Sequence, residues 1–310
     1  RNLSLFGLPA ESDWVLNAPV RADPALTRTR FMYSLSNQMG QYAPRTQYVE
    51  LFVNKNGGDV TYPSDYMGVY VLVEKIKRSN ERTDIEKIST KYTTEPEITG
   101  GYIMKIDLRD PGDNGFRSSR GLPSNGNAYN HVYPKEDNLN GEQSSYIRNY
   151  FEDFEDALYG PNMADPDIGY AAYIDVDSFI DGHVINELSL NVDGLLRSTY
   201  FHKPKSGKLT MGPLWDQNIT MGADDFHDRD ENPFVWYGDR FFDWWSRLLL
   251  DKNFQQKWID RYQELRESVF SLESMLPQID ELAAMVEEAQ VRNVSKWPIH
   301  PPLSLIHISE

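Results

Sequence analysis

The sequence predicts an α+β protein with a two-lobed arrangement, on three observations. Runs rich in β-branched and aromatic residues dominate up to about residue 140. From about residue 141 the apolar residues recur at three- and four-residue intervals. A short hairpin is embedded in that helix-rich second part. Residues 1–302 are read as one domain composed of these two parts, and 310 residues with 40% hydrophobic and 13% aromatic content suffice for its core.

The elements follow in order. Leu26, Phe31, Leu35 and Met39 approximate helical spacing, and Gly40 stands where a helix would stop. Residues 48–53 and 68–74 read as an antiparallel strand pair with a long Gly/Asn/Asp/Pro-rich connection. A third strand is expected over 101–107, and the Gly/Ser/Asn-rich stretch 110–130 after it reads as a long loop. Helices are expected near 144–158 and over 175–190, the second with Asp175 as N-cap and Phe179, Ile180, Val184, Ile185 and Leu188 on one face. Residues 197–203 and 208–214 flank Pro204-Lys-Ser-Gly207 as a hairpin. The stripe Phe254, Trp258, Tyr262, Leu265 and Val269 marks a core-packing helix.

Acidic residues outnumber basic ones 47 to 31, a formal charge of −16, so the net field repels nucleic acid. A nucleotide is still admissible, because a local cation cluster or a divalent metal can reverse the sign of one cleft. The absence of cysteine removes disulfides, thiolate metal sites and cysteine nucleophiles. No apolar run is long enough to form a transmembrane segment. The chain opens at Arg1 without an initiator methionine and reads as a fragment, and residues 303–310, which continue no earlier pattern, read as a non-native tail.

Asn191-Val-Asp-Gly194 follows one predicted helix, and Trp215-Asp216-Gln-Asn218 follows the hairpin, so the chain can fold back to bring Asp193 and Asp216 to one cleft. Two neighbouring carboxylates repel unless a metal or a shared proton neutralises them, which suits a magnesium site or an acid/base pair. Phosphoryl transfer by kinases uses this plan: one Asp serves the acceptor hydroxyl, and a second, beyond a short hairpin, holds magnesium against the phosphates. An Asp before Gly is most often a turn residue, and an Asp after Trp can cap a helix or loop, so the residues alone favour the turn reading and leave the chemical one open. Glu74 ends an apolar strand, where a buried carboxylate needs a cationic partner. His131, His183, His202 and His227 show no ligand spacing, and neither Gly-x-Gly-x-x-Gly nor a P-loop occurs. The acidic run 224–231 lacks the ligand order and glycine of an EF-hand and reads as a solvated loop.

Several blocks stand in order along the chain: residues 13–19 and 23–28, 39–45, Val49-Glu-Leu-Phe-Val-Asn54, 68–76, Gly101-Tyr-Ile-Met-Lys105, Asn191-Val-Asp-Gly194 and Gly212-Pro-Leu-Trp-Asp216. In order and spacing this set resembles the spore-coat protein H (CotH) kinase family. The resemblance implies a stripped-down protein-kinase-like fold that transfers phosphate from ATP, with magnesium or manganese, to Ser/Thr of a protein substrate. It implies Asp193 as the catalytic-loop aspartate and Asp216 as the metal-binding one, with Lys105 contacting phosphate, Glu74 as its ion-pair partner and Arg28 as a further contact. Where a kinase carries Asn for a second metal this chain has Ser198, with Asn218 or Asn191 as substitutes. The departure at Ser198 and the missing glycine loop keep open an inactive binding or scaffold module. The resemblance also leans toward a bacterial, extracytoplasmic or cell-surface setting.

Overall fold

The structure is a computed structural model and describes residues 2–19, 22–191, 193–222 and 243–298. The acidic run 224–231, His227 and the tail 303–310 lie outside the described residues. Two antiparallel sheets and six helices make up the described part, in keeping with the α+β expectation.

The first sheet has strand order β1 (Trp14–Asn17), β3 (Tyr66–Glu74), β2 (Thr46–Phe52). β2 and β3 are the expected antiparallel pair; β1 is an addition that four residues without a clear alternation did not announce. The second sheet runs β5 (Gly115–Phe116), β6 (Ala128–Tyr133), β4 (Tyr102–Asp107), β7 (Thr199–Lys203), β8 (Thr210–Met211). β5 and the first half of β6 fall inside the stretch 110–130 expected to be a loop, because pairing of β6 to β4, and of β5 to β6, overrides the weak strand preference of Gly115, Ala128 and Asn130.

The hairpin β7–β8 docks onto β4, so the second half of the chain completes a sheet begun in the first. The strand-rich and helix-rich parts of the sequence therefore share this sheet. α6 (Leu272–Lys296) crosses back in the same way: Asn293 Oδ1 accepts the Val69 N–H at 2.8 Å, and Trp297 Nε1 donates to the Met67 carbonyl at 2.8 Å. A Cβ at Gly68, whose φ is +108°, would lie 2.5 Å from Asn293 Oδ1, so the close approach of helix to strand requires glycine.

α1 (Arg28–Gln38), α2 (Gly141–Tyr159), α3 (Val176–Ser189) and α5 (Lys252–Arg266) match expected helices, while α4 (Asp243–Leu248) and α6 were not foreseen. Asn140 and Gln143 form a capping box that starts α2, and Asp175 caps α3 through the Ser178 N–H. The inner face of β4 (Tyr102, Met104, Ile106) packs with Phe151, Phe154, Phe179, Phe201 and Trp244 in the main core. Its other face carries Ile103, Lys105 and Asp107, the period-2 alternation that aims a lysine and an aspartate away from that core.

Candidate active site

α3 ends on Leu190 in the left-handed conformation (φ +49°), with its N–H returned to the Asn186 carbonyl. Asn191 then braces the turn: its Oδ1 accepts the N–H groups of Asp193 at 3.1 Å and Gly194 at 3.0 Å, and its Nδ2 donates to the Asp216 carbonyl at 3.4 Å. A Cβ at position 194 would collide with Asn186 Oδ1, which accounts for the Asp-Gly pair. The Asp193 carboxylate is 39% exposed and lies 3.9 Å from Arg197 Nη1.

Asp216 adopts φ +56°. Its N–H donates to Tyr33 Oη at 3.2 Å, and its Oδ2 accepts the Ser198 hydroxyl at 3.1 Å. The ring of Trp215 lies 6.4 Å from Tyr33 and 6.1 Å from Tyr200, fixing the backbone just before Asp216. Burial raises the Asp216 carboxyl; Ser198 works against that rise, while the charges of Asp193 and Asp107 add to it.

Lys105 neighbours Tyr200 on β7 and Asn130 on β6. Its Nζ lies 3.3 Å from Asp107 Oδ2 and 3.4 Å from Asp113 Oδ2. Burial opposes its charge, but Asp107 and Asp113 outweigh it and hold the ammonium above its ordinary value. Asp107 and Asp216 both bear on Tyr200, whose hydroxyl is pushed up mainly by burial, so the Lys105 cluster and Asp216 share one face of the sheet.

The expected Lys105–Glu74 pair is not formed. Glu74 is fully buried in the other sheet, where Arg45 Nε and Nη2 each donate at 2.9 Å and Tyr42 Oη at 3.2 Å, with Arg82 Nε at 3.7 Å. Its cationic partner exists, as a buried strand-end carboxylate requires, but it is arginine. Lys105 is satisfied locally by the residue two positions on along its own strand face. Arg28 opens α1 and is bound to Asp23, through its backbone N–H at 2.8 Å and Nη1 at 3.1 Å; the described residues show no bond from it to Lys105, Asp193 or Asp216. Asn218 lies half-buried in the loop after Asp216, and Ser198 is a hydrogen-bond donor to Asp216.

Tyr33, Asp107, Asp113, Arg197 and Tyr200 are additions to the site. Asp107 and Arg197 were within reach of the sequence, at i+2 on a strand from Lys105 and i+4 from Asp193; the contact of Tyr33 spans 183 residues and leaves no local trace.

Among the described residues no group of three or more His, Asp or Glu side chains is clustered to hold a metal. Magnesium needs less from a protein, one or two carboxylates completed by water and phosphate oxygens. Burial chiefly raises Asp216, with the charges of Asp193 and Asp107 adding to it, and a divalent cation would favour the ionised carboxylate against both, so this donor set fits such an ion.

The match to known families covers nearly the whole chain: the model of the CotH kinase protein family spans residues 1–303. The chain belongs to that family, and membership suggests a kinase-like function. No curated protein matches the chain.

Proposed function

We propose that this protein transfers the γ-phosphate of ATP to Ser or Thr of a partner protein, from a kinase-like two-lobed fold whose site lies on the outer face of the second sheet. The observation that carries the reading is that one residue, Asn191, ties the two aspartate-bearing turns together, its Oδ1 accepting the Asp193 N–H at 3.1 Å and its Nδ2 donating to the Asp216 carbonyl at 3.4 Å. Asp193, at the exposed end of the set, takes the proton of the acceptor hydroxyl as its oxygen bonds to the γ-phosphorus and the bond to the β-phosphate oxygen breaks, leaving ADP. Lys105 neutralises phosphate charge from the sheet face. Asp216, with Asn218 or Asn191, would hold magnesium or manganese, which when bound would supply charge neutralisation of the phosphates. Tyr33 and Ser198 orient Asp216, and Asn191 holds both aspartate-bearing turns together.

The test is autophosphorylation with labelled ATP and magnesium or manganese, which requires no known substrate. Label is expected on the wild-type chain and absent from Asp193→Ala; equal labelling of the two would remove Asp193 from the chemistry.

A second reading, a nucleotide-binding scaffold without turnover, is favoured by one observation: Ser198, standing where kinases place a metal-ligating Asn, spends its hydroxyl on Asp216. Metal-dependent ATP binding without label in chain or protein substrate would select it.

A further inference from the structure

We propose that Asn186, in the last turn of α3, is a positioning residue for the candidate active site, its side-chain oxygen holding Asn191 in place and, through it, the turn that carries Asp193. The proposal rests on the kinase reading for its chemical meaning and on hydrogen-bond geometry for its structural part.

Sequence and burial single the residue out. Position 186 follows Phe179, Ile180, Val184 and Ile185 along α3, all buried, and Asn186 itself is 7% exposed. Asparagine is a poor helix former, and a buried amide is costly unless it is paired, so an amide at this place needs a reason that packing does not supply. Its Nδ2 donates to the Gly182 carbonyl one turn back at 2.7 Å, and its Oδ1 faces the segments beyond the end of the helix.

That oxygen meets both aspartate-bearing segments. Asn191 Nδ2 donates to it at 3.3 Å and Gln217 Nε2 at 3.5 Å, and Gly194 passes so close that a Cβ there would lie 2.3 Å from it. Asn191 and Gly194 flank Asp193, and Gln217 follows Asp216. Each bond is long and weak by itself, so the effect comes from their convergence on one atom. Gln217 is 1% exposed although it adjoins Asp216, and its Oε1 accepts the hydroxyl of Ser189, three residues on from Asn186, at 3.4 Å. The Met221 N–H returns to the Ser189 carbonyl at 2.8 Å. The end of α3 is thus a common support for both segments.

The two aspartates depend on it unequally. Asp216 has anchors of its own, Tyr33 Oη on its N–H and Ser198 Oγ on its carboxylate. The Asp193 N–H goes to Asn191 Oδ1 at 3.1 Å, and that amide is oriented from its other end, where Nδ2 is shared between Asn186 Oδ1 and the Asp216 carbonyl. Removing the Asn186 oxygen loosens the Asn191 amide, and Asp193 moves with it. The effect on folding is small, because Asn191 Nδ2 keeps the Asp216 carbonyl and Gln217 Nε2 keeps the Trp215 carbonyl at 3.1 Å. The effect on phosphate transfer is larger, since misplacing a reacting group by about an ångström can lower a rate by about a hundredfold.

The test reads the turn by NMR-detected hydrogen exchange without nucleotide, and reads label transfer separately. Two substitutions remove the reaching oxygen: Asn186→Ala, and Asn186→Ser, whose hydroxyl can keep the bond to the Gly182 carbonyl and so guards against loss of the helix. Asn186→Asp returns an oxygen to the same place. The Asp193 amide is expected to exchange about tenfold faster in the alanine and serine variants and at about the wild-type rate in Asn186→Asp, while the Asp216 amide stays within about twofold of wild type in all three. At saturating magnesium-ATP, Asn186→Ser should transfer label about tenfold more slowly, with the KM for ATP within about twofold of wild type. Wild-type exchange at Asp193 in Asn186→Ser, protection not restored by Asn186→Asp, equal acceleration at Asp216, or an unchanged transfer rate overturns the proposal. A wild-type chain that never accepts label removes the kinase reading, and the exchange rates still decide whether Asn186 holds the turn.

Discussion

The hydroxyl of Ser198 donates to Asp216 Oδ2 at 3.1 Å, so the serine tunes the aspartate it faces. Removing that donor in Ser198→Ala leaves burial and the charges of Asp193 and Asp107 unopposed, and the Asp216 carboxyl rises further. A carboxyl with a raised pKa is ionised only toward higher pH, so the acid limit of metal-dependent ATP binding moves upward. Calorimetric titration of magnesium-ATP between pH 5 and 8 should show affinity lowered several-fold at the acid end, on the scale of about 1 kcal/mol, and converging with wild type at the alkaline end. Because Ser198 sits at φ +48°, which asparagine tolerates well, Ser198→Asn should fold with stability within about 0.5 kcal/mol of wild type.

Lys105 is predicted to act on the nucleotide rather than on the fold. Its two aspartate partners are 25% and 26% exposed, so the pairs add little stability. Lys105→Met should raise the KM for ATP about tenfold while moving the urea midpoint only slightly.

Glu74 has the opposite signature. Its carboxylate is fully buried between Arg45 and Arg82, and Glu74→Gln leaves guanidinium charge without its counter-ion. The loss should be about 3–5 kcal/mol in urea unfolding, with the KM for ATP of the folded fraction unchanged. A large KM effect with normal stability would restore Glu74 to the nucleotide site.

His183 sets an acid limit on stability. It is fully buried, Trp258 Nε1 donates to its Nδ1 at 3.1 Å, and burial lowers its pKa to about 3. The folded chain thus keeps the ring neutral, while the unfolded chain takes up a proton below about pH 6.5. This contribution is complete above about 6.5 and is lost as pH falls toward 3. His183→Asn, whose amide oxygen can accept the Trp258 N–H, should flatten the dependence of unfolding free energy on pH across that window.

The readable parts of the molecule are those with local causes. Asp175 announces α3, the Pro204–Gly207 turn announces β7–β8, and the ends of those two elements deliver Asp193 and Asp216. The start of β6 was hidden in the Gly/Ser/Asn-rich stretch, because Ala128 and Asn130 have little strand preference and are held by pairing to β4, although Tyr129, Val132 and Tyr133 favour a strand. The partner of Glu74 was predictable in charge but not in identity, since choosing Arg45 over Lys105 depends on which strands share a sheet. The Tyr33–Asp216 bond is wholly tertiary.

The division of labour between Asp193 and Asp216 is tested most directly by calorimetric titration of magnesium-ATP into wild type, Asp193→Asn and Asp216→Asn, with label transfer followed in parallel. Asp193→Asn should bind magnesium-ATP with near wild-type affinity and transfer no label, whereas Asp216→Asn should lose metal-dependent binding about tenfold or more. Normal magnesium-ATP binding by Asp216→Asn, or label transfer by Asp193→Asn at the wild-type rate, would contradict it.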